Sequence, residues 1–162
     1  MNRIFVAATL AALAVTATFG KPDRAEQNKE IVRKVFTDIL SQGKFELTPE
    51  IYAKDFVNHG ATKDIGLDQA QASDRGWRAA FPDLEMTIEQ EIAQGDYVTV
   101  LWRGRGTNTG TGTGNGLNAT GKKADGRGIS IFRIAEGKIK EEWTEYSGVL
   151  ILQQLGLMPA PQ

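Results

Sequence analysis

The chemistry this chain could perform is concentrated near its C-terminal end, in Lys138-Ile-Lys-Glu-Glu-Trp-Thr-Glu-Tyr146. Polar and apolar residues alternate along it, the pattern of a strand with two different faces. Alternation assigns Lys140, Glu142, Thr144 and Tyr146 to one face and Ile139, Glu141, Trp143 and Glu145 to the other. A carboxylate facing an apolar, aromatic-lined hollow has its pKa raised toward neutrality, where it serves as a general acid or base. Glu142, with Tyr146 on its own face and Trp102 near, fits that description best. The competing reading is a solvated Glu-Glu pair on a charged edge strand. His59 is the only histidine and the only side chain whose ordinary pKa lies close to neutral. It reads either as a base or hydrogen-bond donor, or as a residue that ties Asn58 and the following loop to the end of the second helix.

Other chemistries are narrowed by what the chain lacks. There is no cysteine, so thiol catalysis and thiolate-bound metal are excluded. One histidine with Asp55 or Asp64 has no diagnostic metal spacing, so no metal is expected. Gly110-Thr-Gly-Thr-Gly-Asn-Gly116 contains neither nucleotide-binding glycine motif and precedes a strand, which makes it a connecting loop. No cofactor site is expected. Asn118-Ala-Thr120 has the form of a glycosylation acceptor, relevant only on a eukaryotic secretory route.

These side chains need elements to hold them. Ile31, Val32, Val35, Phe36, Ile39 and Leu40 recur at helical spacing within 23–42, opposite Glu30, Arg33, Lys34 and Asp38. Pro22 and Gly43 supply the start and stop signals. Thr48-Pro49-Glu50 predicts a short helix over 49–54, followed by a brief extended piece over 55–59. A third helix is expected over 67–80, with Leu67, Ala70, Trp77 and Phe81 turned inward. The period then changes to two: strands over 84–89, 97–103, 122–134 and 139–146, the last two joined by a tight Glu136-Gly137 turn. Residues 149–155 read as a terminal helical turn. Helices first and antiparallel strands afterwards define an α+β domain with helices on one face of a curved sheet.

Met1 to Gly20 has a basic start, an apolar middle and small residues near its end, the form of a secretory signal peptide cleaved after Ala17 or Gly20. The expected product is a single domain over 21–162, periplasmic or secreted, with no stable membrane insertion after cleavage. Its formal charge changes only from −1 to −2, because Arg3 is the one charged residue removed. No basic stripe appears, so nucleic acid is not an expected partner.

Five motifs in order resemble those of the SnoaL-like polyketide cyclase family, also known as ester cyclases. They are Asn28-Lys-Glu-Ile-Val-Arg-Lys-Val-Phe36, Tyr52-Ala-Lys-Asp-Phe-Val-Asn-His59, Arg78-Ala-Ala-Phe-Pro-Asp83, Asp96-Tyr-Val-Thr-Val-Leu-Trp-Arg103, and the block from Gly128 to Tyr146. The resemblance implies the cone-shaped α+β fold of the nuclear-transport-factor-2-like superfamily. It also implies cofactor-independent ring closure by an acid on the last strand and a histidine on the preceding one. Ser130 and Thr144 align with that pair, and neither can act as a carboxylate base.

The reading that follows is a pocket for a small apolar organic molecule. Trp77, Phe81, Trp102, Phe132 and Tyr146 would line it, and Asn58, His59, Ser130, Glu142 and Thr144 would be its polar handles. Catalysis, if present, would be acid–base cyclisation or isomerisation with Glu142 or His59 moving the proton. The alternatives are a binding module without turnover and self-association as a homodimer through an open sheet face.

Overall fold

The computed structural model describes residues 23–110 and 118–159. The proposed signal peptide and most of the Gly110–Gly116 loop lie outside the described residues. Helix α1 (Arg24–Lys34) begins at Asp23, whose side chain accepts from the Ala25 amide, and runs directly into a wider π-helical stretch, Val35–Ser41. A 3-10 turn (Phe45–Leu47) and α2 (Thr48–Ile51) follow. After them come β1 (Tyr52–His59), β2 (Asp64–Gly66) and α3 (Leu67–Ala80). Four long strands, β3 (Glu85–Gln94), β4 (Tyr97–Thr107), β5 (Lys123–Ala135) and β6 (Lys138–Tyr146), precede α4 (Gly148–Gln154).

The strands form one curved, unclosed sheet in the order β2-β1-β6-β5-β4-β3. This confirms the α+β reading with two changes. The expected second helix stops at Ile51, and Tyr52 to Lys54 already belong to β1. β1 also pairs parallel to β6, His59 opposite Trp143, so the sheet is mixed and not wholly antiparallel. That contact joins residues more than eighty positions apart, beyond the reach of any local pattern.

The core lies between α1, its π-helical continuation and the concave sheet face. Val32, Val35, Phe36 and Ile39 from the helix meet Val98, Val100, Phe132, Ile134 and Ile139 from the strands. Each such burial contributes about 1.5–3 kcal/mol against leaving the side chain in water. With no disulfide available, this layer holds the fold. A second cluster, Ala80, Phe81, Ala124 and Leu155, docks α4 across the other end of the sheet. Gln154 fixes that docking by bonding both the amide and the carbonyl of Asp125.

One irregularity decides what faces inward. The β5–β6 ladder slips between Arg133 and Ile134: Arg133 pairs with Glu141, but Ile134 pairs with Ile139. Lys140 is the extra residue of a β-bulge. Simple alternation put Ile139 on the face opposite Glu142; instead Ile139 is fully buried in the core while Glu142 lines the hollow beside it. Lys140 is corrected to the outside, where its Nζ meets Asp55 at 2.6 Å. The hairpin turn itself is as expected, with Glu136 and Gly137 both at positive φ (54° and 73°), as a two-residue type I′ connection requires.

Candidate functional site

The cone is hollow. A cavity of about 420 Å³ opens between α3, the π-helical stretch and the inner face of β4, β5 and β6. Its size falls in the range of sites for small organic molecules. The π-helical turn widens the helix at Val35, Phe36, Ile39 and Leu40, all of which line the hollow. Ser41 closes that turn by donating to the Phe36 carbonyl at 2.7 Å and accepting from the Met86 amide at 2.9 Å. A helix–strand clasp thus forms one rim of the cavity.

The aromatic wall is a contiguous set. Trp77 stacks on Phe81 with ring centroids 5.9 Å apart, Tyr146 meets Trp77 edge-on at 6.0 Å, and Trp102 lies 6.3 Å from Tyr146. Phe132 closes the floor against Phe36 at 6.1 Å. Trp102 lies across the strand pair because its partner on β5 is Gly128. A Cβ there would overlap the indole and come within 2.7 Å of the Glu145 carbonyl, so only glycine admits the ring.

Polar groups on the inner face are joined in a chain. Trp102 Nε1 donates to Ser130 Oγ at 2.9 Å, Ser130 Oγ and Thr144 Oγ1 are 2.7 Å apart, and Thr144 Oγ1 donates to Glu142 Oε1 at 2.8 Å. An indole N–H can only donate. With Glu142 ionised and accepting at the far end, the direction is set: Trp102 to Ser130 to Thr144 to Glu142. Ser130 and Thr144 therefore support the carboxylate and do not replace it. Ser130→Ala would leave the Trp102 N–H without its acceptor and cost about 1–3 kcal/mol in chemical denaturation. Trp102→Phe combined with Ser130→Ala should cost less than the two single changes added together, since the orphaned donor is then gone.

Glu142 has its pKa raised by burial, an effect opposed by bonds from Thr144 and Asn58. Across the cavity stands Asp74, which the sequence reading missed. It belongs to the inward stripe of α3 (Leu67, Ala70, Asp74, Trp77), a spacing visible in the sequence, but its charge disguised it. Burial foremost, then the negative charge of Glu142, push its carboxyl up to about 8; Arg75 acts weakly the other way. No hydrogen-bond partner for it occurs among the described residues. Tyr52, also missed, is 5 % exposed and lines the same hollow, its phenol pushed well up by burial and by Glu142 and Asp74.

The shifts of the two carboxyls are asymmetric. The charge of Glu142 raises Asp74, whereas the charged form of Glu142 is held by bonds from Thr144 and Asn58. This is the pattern of sequential ionisation: Glu142, with hydrogen bonds to its charged form, loses its proton first, and its charge then holds the proton on Asp74. The two carboxyls thus differ in the order of proton loss, the environment-split pairing that separates a base from an acid.

His59 is not part of this group. It lies at the end of β1 outside the cavity, Nε2 3.1 Å from Glu141 Oε2 and Nδ1 3.2 Å from Asp64 Oδ1, and stacks on Trp143 at 4.5 Å. Glu141 is in turn paired with Arg133, which with His59 lowers its pKa. These contacts tie the end of β1 to β2 and β6, the strands beside it, and not to the second helix; β6 turns Glu141 outward as it turns Glu142 inward. Every other expected site residue, Asn58, Trp77, Phe81, Trp102, Ser130, Phe132, Thr144 and Tyr146, borders the cavity with Glu142. No cluster able to hold a metal, and no helix long and apolar enough to cross a membrane, occurs among the described residues.

A helix-covered, curved mixed sheet closing on an apolar hollow with buried acids defines an α+β cone of the nuclear-transport-factor-2-like kind. Residues 30–155 match the family model of SnoaL-like polyketide cyclase, and the chain belongs to that family. Solved structures share the architecture at low identity. AclR from Streptomyces galilaeus, named as a candidate hydroxylase, superimposes with a TM-score of 0.76 at 19% identity, over 85% of this chain and 86% of its own. IdmH from Streptomyces antibioticus, named as a candidate polyketide cyclase, gives 0.69 at 24%, over 80% and 99%. A SnoaL-like polyketide cyclase candidate from Jannaschia sp. CCS1 gives 0.74 at 22%, over 86% and 99%. No curated protein matches the chain significantly.

Proposed function

We propose that the domain catalyses cofactor-independent proton transfer, leading to cyclisation or isomerisation of a small apolar organic molecule. The observation that supports this is the split pair of carboxyls in one apolar cavity. Glu142 serves as the base and Asp74 as the acid that keeps its proton. Thr144 donates to Glu142 Oε1 and Asn58 bonds the same carboxylate, and a lone pair these two bonds leave receives a proton from a carbon beside an electron-withdrawing group. The carbanion is stabilised by that group, then either attacks a second centre of the same molecule or is reprotonated elsewhere. No electrons leave the substrate, so no redox partner is needed.

The enolisable bicycle 2-tetralone tests the reading without knowledge of the natural substrate. Deuterium uptake at its α-carbons, followed by NMR, is expected to be accelerated by the protein along a bell-shaped pH profile. The acid limb should lie above the ordinary glutamate value of 4.5 and the alkaline limb near 8, set by Glu142 and Asp74. A rate indistinguishable from buffer, or a flat profile, would sink the proposal and leave a binding module.

We further propose that the domain works after export and as a dimer. The apolar Ile4–Phe19 run supports export. Self-association is supported by the outer sheet face, where Ile92, Ile129 and Ile131 are 68%, 50% and 38% exposed and Ile131 lies opposite Trp143. Light scattering should give the mass of two chains, reduced to one by Ile131→Lys; a monomeric wild type would refute the pairing.

A further inference from the structure

Tyr52 and Asp74 reach the cavity from opposite structural sources, the first residue of β1 and the middle of α3. Tyr52 is deeply buried and Asp74 half-buried on the cavity wall, and neither hydroxyl-bearing end has a hydrogen-bond partner among the described residues. Buried polar groups in folded proteins are ordinarily paired, and exceptions call for a reason. Here the unpaired ends face a hollow that can admit a guest. The charged and titratable groups around Asp74 are few. Glu142 faces it across the cavity, Tyr52 stands beside both, and Arg75 directs its guanidinium over the Phe45 ring at 4.1 Å. The aromatic wall contributes the edges and faces of Trp77, Trp102 and Tyr146, and the basic residue on the cavity wall, Arg105, is paired with Asp125 at 3.1 Å.

We infer that Tyr52 and Asp74 together form a two-hydroxyl clamp for one ligand oxygen, so that the cavity takes a neutral ketone or enone. An anionic ligand would bring its charge to Glu142, and the cation on the cavity wall, Arg105, is already paired with Asp125. A ketone brings an acceptor to two waiting donors and places a C–H bond next to the carbonyl within reach of the base. The inference rests on the proton-transfer reading and gives it a substrate class. When Glu142 removes the α-proton, the C–H electron pair forms the C=C bond and the carbonyl π pair moves onto oxygen. The oxygen that becomes negative is the one the two O–H groups hold. Bonds to a charged oxygen are stronger than bonds to a neutral carbonyl, so the clamp favours the enolate over the ketone. Tyr52 and Asp74 touch the reacting group and are catalytic residues in that scheme.

Binding alone tests the clamp, with 2-naphthol, naphthalene and 1-naphthylmethylamine as probes followed by fluorescence at pH 6.5 on the full domain. Naphthol presents an oxygen that becomes partly anionic when held, naphthalene is its apolar control, and the amine is a cation. Naphthol is expected to bind about 10-fold or more tightly than naphthalene, with the amine weakest. Tyr52→Phe and Asp74→Ala should each remove most of that preference. Asp74→Asn should keep it within about 3-fold, because its amide still donates. Equal affinities for naphthol and naphthalene would overturn the clamp. So would preferred binding of the amine that Asp74→Asn abolishes, because the pair would then be a cation site. Asp74→Asn is nearly isosteric, so the test survives even if Asp74→Ala fails to fold. Naphthol preference in a protein that exchanges no tetralone protons would uphold the clamp and remove the base.

Discussion

Glu142→Gln is expected to lower the protein-catalysed exchange of 2-tetralone α-protons about 1,000-fold, within the usual range for loss of a positioned base. The amide keeps the shape and can still accept from Thr144, so the inner face need not rearrange. What it cannot do is take a proton. Melting temperature and far-UV dichroism should therefore stay close to wild type, and binding of a neutral guest should persist. Glu142→Asp makes the expectation sharper. It retains the chemistry but withdraws the carboxylate by one methylene, and should fall between the two. Exchange unchanged in Glu142→Gln would place the base elsewhere, however well the cavity is formed.

Asp74→Asn should make the domain more stable, and only above a definite pH. An acid whose folded pKa is raised from 3.8 to about 8 binds its proton more tightly in the native state than in the unfolded chain. Below about pH 4 both states are protonated and the residue costs nothing. Between those values native stability falls as pH rises, and above about 8 the whole penalty is present. Asparagine carries no such penalty. The variant should match wild type near pH 4 and gain on the order of 3 kcal/mol at pH 8.5, after allowing for solvent in the hollow. For a domain of this size that is roughly 10 °C in melting temperature. The same change should flatten the alkaline limb of the exchange profile while leaving the acid limb, which belongs to Glu142. An equal gain at pH 4 and pH 8.5 would show that Asp74 is not a buried, protonated acid.

Elements fixed by local periodicity were legible in the sequence. The stripe from Val32 to Ile39 and the run from Leu67 to Ala80 found their places within a residue or two, as did the Glu136-Gly137 hairpin. What depended on distant partners was not. Tyr52 to Lys54 carry a helical start signal just upstream, yet pairing with β6 draws them into a strand. The π-helical widening leaves the apolar stripe intact and so has no signature in spacing. For the site, aromatic residues and Glu142 were visible because a two-fold period carries them to one face. Asp74 was hidden by its own charge inside an apolar stripe, where a polar residue suggests solvent and not a cavity. His59 drew attention by its uniqueness, a property of composition that says nothing about direction.

The extra residue at Lys140 has a further bearing on how acids are distributed along the closing strand. Upstream and downstream of it the strand obeys opposite parity, so the rule that selects odd positions before the slip selects even ones after it. Moving that one insertion along the strand would exchange Glu141 with Glu142 as the interior member, with no change of amino-acid type. A proton-handling group can thus migrate between neighbouring rungs of a conserved scaffold through a shift of phase. Column-by-column comparison would record such a migration as the loss of a catalytic acid, although the chamber still had one.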